Sequence, residues 1–366
     1  MPPVFLSAKA SGALEIPPVA PERAASTEGL QAIAPSSGHQ RIDFLDVAKG
    51  VGILLVVMGH CLGGLRAAEI VEEASLAWFS FYLIYSFHMP LFFFLTGSLV
   101  EIRVGAQPGR FLRTNVTRIA YPYFLWGLVQ TIVQLLASGL ITHPISQPPV
   151  ELLIYMLWAP PAQFWFLYAL FFLHLIALLT LYVGGRVLFM LVFSLVYASS
   201  AISPPVASFI SSYVTGTNIL FYVLGVCIGG PLIGWRGHLA QPYAYTIIAA
   251  IVFFSAVWVG WTTGGGLDTY ATLPAAFAGC GAVLLLCRTD ALRENPLLGY
   301  LGRRALPIYV LHVMFVAGAR IVLVKAFHLS SVDLILPIIF LAGIAGPLVI
   351  DRAARSLRLR AALGLG

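Results

Sequence analysis

The sequence predicts an all-α integral membrane protein with about ten transmembrane helices, and three observations support this fold class. The 366 residues are 59% hydrophobic and only 10% charged, whereas an average soluble domain carries about 25% charged residues. The mean hydropathy is +0.90. Apolar runs of about 20 residues, the length that crosses a bilayer as a helix, recur along the chain and are separated by charged residues, glycine or proline.

The first 40 residues differ from the rest of the chain. They are rich in alanine, proline, serine and glutamate and contain no long apolar run. This composition is typical of disordered segments, and it lacks the apolar core of a signal peptide. Residues 1–40 are therefore predicted to be a disordered cytoplasmic tail. The membrane domain is predicted to cover residues 41–352, and a basic cytoplasmic tail to cover residues 353–366.

The predicted spans follow the apolar runs and end where charged or helix-breaking residues interrupt them. The first span opens with Asp46 and Lys49, and the second contains an internal proline, Pro90. The stretch Gly184-Gly185-Arg186 divides one long apolar run into a fourth and a fifth span. The ten predicted spans are 44–65, 76–100, 116–140, 151–183, 187–203, 216–235, 241–262, 268–287, 305–325 and 332–351.

The distribution of lysine and arginine predicts the orientation of these spans. With a cytoplasmic N-terminus, 18 of the 21 basic residues fall on the cytoplasmic side, and only Arg66, Arg320 and Lys325 fall outside. Such a bias is the usual determinant of membrane topology. Both termini are therefore predicted to be cytoplasmic. The same distribution explains the net charge of +6 without a nucleic-acid partner.

A lysine and a histidine in the first span are the strongest functional signal. Ionisable groups at membrane depth are costly and usually serve a function. Eleven helical steps of about 1.5 Å place His60 about 16 Å deeper than Lys49. This spacing suits an anionic group held at one membrane face and proton chemistry nearer the other. Imidazole titrates near neutral pH, so His60 is the predicted general base, against the alternative of a structural or interfacial histidine.

Further polar residues extend this candidate site. Lys49, Arg113 and Arg118 are predicted to lie at the cytoplasmic face and to bind a phosphate-bearing ligand, unless they are ordinary positive-inside anchors. Asp46 either pairs with these cations or caps the first helix. The remaining candidates for the cavity lining are His88, Trp165, Tyr309 and His312, the last two being three residues apart on one helix face. For His88 and Trp165, a structural role and a place in an aromatic belt are the respective alternatives.

The absence of several motifs narrows the function. The sequence contains no GxxxxGK[ST] phosphate loop, no HExxH metal motif and no GxSxG nucleophile elbow. The spans hold almost no acidic residues that would carry protons or sodium ions, which argues against an ion-coupled transporter.

Five segments together resemble the membrane acyltransferase-3 family, and most closely its fucose 4-O-acetylase-like branch. They are RIDFLDVAKGVGILLVVMGH (41–60), FHMPLFFFLTG (87–97), RIAYPYFLW (118–126), FWFL (164–167) and LGRRALPIYVLH (301–312). The basic-residue-x10-His signature of the family matches Lys49 and His60. This chain differs from many members at three places. They have arginine where this chain has Lys49, and a small polar residue where it has Ala305. They also have two arginines three residues apart just before the third-span proline, whereas here Arg113 and Arg118 are five residues apart before Pro122.

The resemblance implies a bacterial inner-membrane, multi-pass O-acyltransferase. Such an enzyme moves an acetyl group from acetyl-CoA to a sugar hydroxyl of a surface or secreted glycan, either an exopolysaccharide or a lipo-oligosaccharide. Acetyl-CoA is then a co-substrate, with no permanently bound cofactor and no metal. The expected partners are acyl-CoA, the glycan or lipid-linked sugar and membrane lipid.

The resemblance also implies roles for the candidate residues. His60 would deprotonate the sugar hydroxyl for direct attack on the thioester, or would carry the acetyl group in a covalent relay. Lys49 and Arg118, with Arg113, would bind the CoA phosphates. The alternative function is a flippase or exporter of a lipid-linked sugar, which would not depend on acyl-CoA.

Overall fold

The computed structural model describes residues 44–73, 75–139, 159–202, 216–234, 241–267 and 272–366, together with residues 151, 154, 156 and 157. All longer regular elements in these ranges are helices. They are α1 (Phe44–Ala67), α2 (Leu76–Tyr85), α3 (His88–Gly97), α4 (Val100–Ala106), α5 (Pro108–Asn115), α6 (Tyr121–Leu136), α7 (Trp165–Ile202), α8 (Gly216–Leu224), α9 (Gly230–Gly234), α10 (Pro242–Thr262), α11 (Leu273–Leu286), α12 (Pro296–Gly302), α13 (Ala305–Ile321) and α14 (Val332–Ser356).

Seven helical segments in the described residues are long and apolar enough to cross a membrane, and two shorter apolar segments accompany them. The long ones are Phe44–Ala67, Leu76–Ala106, Pro108–Leu136, Ala162–Ala198, Pro242–Thr262, Ala305–Ala326 and Val332–Ser356, and the short ones are Gly216–Leu232 and Leu273–Leu286. The predicted all-α membrane fold is confirmed, whereas the count of ten spans and the cytoplasmic location of the termini stay predictions. The predicted tail of residues 1–40 lies outside the described residues.

The predicted fourth and fifth spans correspond to α7, in which two helices meet at a kink. Its 38 residues contain one non-helical position, Gly185, with φ 60° and ψ −157°. A straight helix of this length would measure about 57 Å, against a hydrocarbon core of about 30 Å. The break lies where the sequence predicts a span boundary. The first part of the predicted span 151–183 lies mostly outside the described residues.

The second predicted span is interrupted near its middle. The helix α2 ends at Tyr85, and α3 begins at His88 after the two residues Ser86 and Phe87. Because Pro90 has no N–H to donate, the backbone there cannot form every α-helical hydrogen bond. The interruption is fully surrounded by protein, since residues 86–95 are all buried. Irregular backbone at membrane depth is tolerated in such surroundings.

Close backbone contacts fix the helices around α1. A Cβ atom added to Gly302 of α12 would lie 1.7 Å from the carbonyl oxygen of Asp46, and one added to Gly50 would lie 2.1 Å from that of Leu298. Small residues allow such an approach, and helices in membranes depend on it because lipid supplies no hydrophobic driving force between them. The short helix α12, absent from the predicted spans, is therefore pressed against the first turns of α1.

Polar contacts between helix termini show which termini lie at the same end of the bundle. At one end the buried carboxylate of Asp351 on α14 pairs with Arg304 at 3.5 Å and Arg360 at 3.1 Å, and also with Arg355. At the other end Arg320 of α13 donates to the carbonyl oxygen of Gly64 at 2.8 Å. Helix α13 thus runs from the first end to the second, as α1 does.

The C-terminal segment is folded against the first end of the bundle. The indole N–H of Trp126 donates to the carbonyl oxygen of Leu363 at 2.8 Å, and the Tyr121 hydroxyl donates to that of Ala362 at 2.6 Å. The Leu365 side chain is fully buried. These bonds hold residues 362–365 beside the start of α6.

We expect Gly302→Ala to destabilise the protein, because the new methyl group would overlap the main chain of Asp46. Overpacking of this kind costs about 1–3 kcal/mol, and thermal unfolding of the detergent-solubilised protein measures it. The control is Gly318→Ala on α13, where a Cβ meets no atom within 4 Å. Equal melting temperatures for the two variants would contradict the close α1–α12 contact.

Candidate functional site

Lys49 and His60 lie on one uninterrupted helix, α1. Eleven residues correspond to about three helical turns, so the two side chains leave the same face of α1 at depths about 16 Å apart. Both side chains are half-buried. The structure therefore gives the two residues the separation that the sequence predicts and adds that they face the same way.

The ring of His60 contacts the ring of His312 across the α1–α13 interface. Their centroids are 4.9 Å apart and the planes meet at 62°. His312 is fully buried, whereas His60 remains partly accessible. Two histidines separated by 252 positions in the sequence thus meet inside the bundle.

The hydrogen bonds of His312 determine its protonation. Its Nδ1 lies 2.7 Å from the carbonyl oxygen of Tyr309 and 3.1 Å from that of Ile308. Since both partners only accept hydrogen bonds, Nδ1 must carry the proton. The other nitrogen, Nε2, is buried and forms no hydrogen bond with the described residues. It therefore carries a lone pair without a hydrogen-bond donor among the described residues, in a ring that contacts His60.

Tyr309 links this pair to the start of α7. Its hydroxyl donates to the main-chain oxygen of Gln163, and its ring lies 6.1 Å from that of His312. The side chain of Gln163 in turn exchanges two hydrogen bonds, of 2.7 and 3.2 Å, with the side chain of Gln130. All of these groups are buried, so the α13 face that carries His312 is bonded to the residues preceding α7, and these residues are in turn bonded to α6.

His88 satisfies backbone at the interruption between α2 and α3. Its Nδ1 lies 2.9 Å from the carbonyl oxygen of Ile84, a contact that fits the structural alternative, while a place for His88 in the cavity lining stays a prediction. Its ring also packs at 4.7 Å against Tyr85. Tyr85 fits tightly against α1, where a Cβ on Gly59 would lie 2.8 Å from its ring.

Trp165 stands farther from the histidines. Its half-buried ring lies 6.2 Å from Phe93 and 6.4 Å from Phe166. Phe166 is in turn 5.6 Å from Tyr309. Trp165 is therefore connected to the site through one intervening ring.

The predicted phosphate-binding cations differ in their exposure. Arg113 and Arg118 are both exposed, while Lys49 is half-buried on α1. Arg118 stands in a π-helical turn, Val116–Ala120, between α5 and α6. Asp46 pairs with Arg303 at 3.6 Å, so this carboxylate binds a cation at the α12–α13 junction.

Comparison with known proteins identifies the family. A family model described as an acyltransferase domain, that of acyltransferase-3, matches residues 42–352. The chain belongs to the acyltransferase-3 family. The predicted resemblance is thereby confirmed at family level, while the fucose 4-O-acetylase-like branch stays a prediction.

One curated relative of this acyltransferase is the nodulation protein NolL of Mesorhizobium japonicum. The two are 27% identical over 251 residues, which is 65% of this chain and 60% of NolL. The chain thus matches about three fifths of the length of that relative. No solved structure is similar enough to be matched.

The described residues of the acyltransferase contain a third buried histidine, which was not among the site residues predicted from the sequence. His174, on α7, places its Nδ1 3.2 Å from the amide oxygen of Asn115, and both residues are buried. The signal was available, because His174 is an ionisable residue within a predicted span, as His60 and His88 are. Asn115 gave no such signal, since it lies just before a predicted span.

We expect Gln130→Leu to destabilise the acyltransferase by about 1–3 kcal/mol, because it leaves the buried amide of Gln163 without its partner. The double variant Gln130→Leu/Gln163→Leu should recover part of this loss, since both polar groups are then gone. Unfolding of the detergent-solubilised variants measures both effects. Simple additivity of the two substitutions would show that the amides do not depend on each other.

Proposed function

We propose that this acyltransferase moves an acetyl group from acetyl-CoA to a sugar hydroxyl of a surface or secreted glycan, such as an exopolysaccharide or a lipo-oligosaccharide. Its place would be the bacterial inner membrane. The observation that carries the proposal is the ring contact between His60 and His312, because the Nε2 of His312 is buried and forms no hydrogen bond with the described residues. Acyl transfer to a hydroxyl requires a general base, and His60 can serve as one. Membership of the acyltransferase-3 family indicates that the reaction is an acyl transfer.

His60 is the proposed general base, and His312 orients it. In this proposal an N–H of the His60 ring donates to Nε2 of His312, which leaves the other nitrogen of His60 free to accept a proton. Catalytic hydrogen bonds are often long before substrate binds. The same division of roles occurs wherever a buried acceptor fixes the tautomer of a catalytic histidine.

The transfer step is direct in this proposal. His60 removes the proton of the sugar hydroxyl as its oxygen attacks the thioester carbonyl carbon, so a C–O bond forms. The C–S bond then breaks, and the CoA thiolate takes the proton from His60. The products are the acetylated sugar and free CoA, and no metal or bound cofactor takes part.

The donor is proposed to enter from the end of the bundle where α1 begins. Lys49 and Arg118, with Arg113, would bind its phosphates, because guanidinium and ammonium groups pair strongly with phosphate oxygens. The pantetheine arm would then follow α1 toward His60, since Lys49 and His60 share one face of that helix. The acceptor sugar would lie near His88, Tyr309 and Trp165, where aromatic rings surround the histidines.

We expect His60→Ala to lower acetyl transfer by about 10²–10⁴-fold, the usual loss when a general base is removed. The measurement is the mass of the cell glycan in strains with the wild-type gene, the His60→Ala gene and no gene. One acetyl group should be present only with the wild type. The control is His328→Asn, because His328 is exposed and lies outside the spans, and asparagine tolerates its φ of 54°.

Two other results would contradict this proposal. Identical glycan masses in all strains, with a lipid-linked precursor accumulating in the deletion, would indicate the flippase instead. Acetylation that persists with His60→Ala would remove His60 from the chemistry.

We expect Arg118→Ala and Lys49→Ala to raise the KM for acetyl-CoA by about tenfold and to change kcat less, because a charge-assisted hydrogen bond contributes about 1.5–3 kcal/mol. Initial rates in membrane vesicles, with acetyl-CoA varied at a fixed acceptor concentration, measure both constants. Arg352→Ala is the matched control, since Arg352 is an exposed cation on α14. A KM that is equally insensitive to all three substitutions would place the donor elsewhere.

A further inference from the structure

A buried asparagine–histidine pair joins the turn that carries Arg118 to the long helix α7. The amide nitrogen of Asn115 donates to the carbonyl oxygen of Phe171 at 3.2 Å, and the amide oxygen accepts from Nδ1 of His174 at 3.2 Å. The Phe171 carbonyl fixes which way the amide points, and the amide oxygen then fixes the tautomer of His174. Asn115 is therefore held in one orientation.

The residues after Asn115 form a wide turn. Tyr121 donates its N–H to the carbonyl oxygen of Val116, a π-helical bond, and such turns inside longer helices are rare and often mark functional sites. Pro122 follows directly and has no N–H to donate. Arg118 stands at the centre of the turn and is exposed. The direction of its side chain depends on how the turn is anchored.

Both ends of this turn are anchored. Asn115 fixes its start against α7, and Tyr121 fixes its end through the bond to the Ala362 carbonyl oxygen. Two apolar residues at 115 and 174 would fill the same space without removing polar groups from water, and such a replacement can be nearly neutral for stability. A requirement to hold the turn in place explains why polar residues are found there.

We infer that Asn115 and His174 are positioning residues that hold Arg118 toward the phosphates of the acyl donor. The inference rests on the proposed function for the identity of the ligand. His174 contacts neither substrate in this arrangement. It acts on donor binding through Asn115 and the π-helical turn.

A double-mutant cycle with Arg118 tests this inference. We expect His174→Leu to raise the KM for acetyl-CoA by about tenfold with kcat changed less, and to have no further effect in an Arg118→Ala protein. His174→Gln retains an N–H donor and should restore part of the affinity. Thr180→Val is the control on the same helix, because Thr180 is buried and bonds within α7. Additive effects of His174→Leu and Arg118→Ala would overturn the inference.

A nitroxide spin label at position 118 gives a second readout that needs no acetyl-CoA. The label is attached to Arg118→Cys after Cys61, Cys227, Cys280 and Cys287 have been replaced by alanine. We expect His174→Leu, but not Thr180→Val, to increase the mobility of the nitroxide in its paramagnetic resonance spectrum. An unchanged spectrum would overturn the inference whatever the activity.

The two readouts separate the two proposals. If the wild type transfers no acetyl group from acetyl-CoA, the proposed function fails, and the spin label still decides whether His174 holds position 118. If transfer occurs and the cycle is additive, the proposed function stands and the positioning role fails.

Discussion

Hydrogen bonding without water is the constraint on which the interior of this acyltransferase depends. A polar group at membrane depth must find its partner within the protein. His88 and His312 each direct Nδ1 to a main-chain carbonyl oxygen, and His174 directs it to the amide oxygen of Asn115. His60 differs, because within the described residues no hydrogen bond fixes its ring, which contacts that of His312 and remains partly accessible. The proposed base is therefore the histidine of these four whose ring is not held by a hydrogen bond to an acceptor among the described residues.

Much of the fold and part of the site could be predicted from the sequence. The length of the apolar runs predicts most of the helices. Because charged groups are costly in lipid, the ionisable residues Lys49, His60 and His312 each stand out as functional candidates. The sequence does not show that His60 and His312 touch, because that contact depends on the packing of two helices far apart in the chain. It also does not show the short helix α12, whose seven residues are too few to read as a span. The role of Asn115 depends on the π-helical turn, which has no sequence signature beyond Pro122.

The two proposed roles, phosphate binding and proton transfer, are assigned to different positions along α1. Its first turns are pressed against α12 and carry the pair of Asp46 with Arg303, so this end is rigid and charged. Two turns before its far end it carries His60. A rigid helix with a cation near one end and an imidazole deeper on the same face fixes the distance between phosphate binding and proton transfer. Loop motion then has little influence on that distance.

The C-terminal segment, residues 362–365, is bonded to the bundle through main-chain oxygens. The family match ends at residue 352, yet residues beyond it are bonded to Trp126 and Tyr121 through the main-chain oxygens of Leu363 and Ala362. Main-chain oxygens are present whatever the side chain. Substitutions at positions 362 and 363 can therefore leave these bonds in place, whereas the buried side chain of Leu365 and the φ of 61° at Gly364 restrict the residue types at the next two positions.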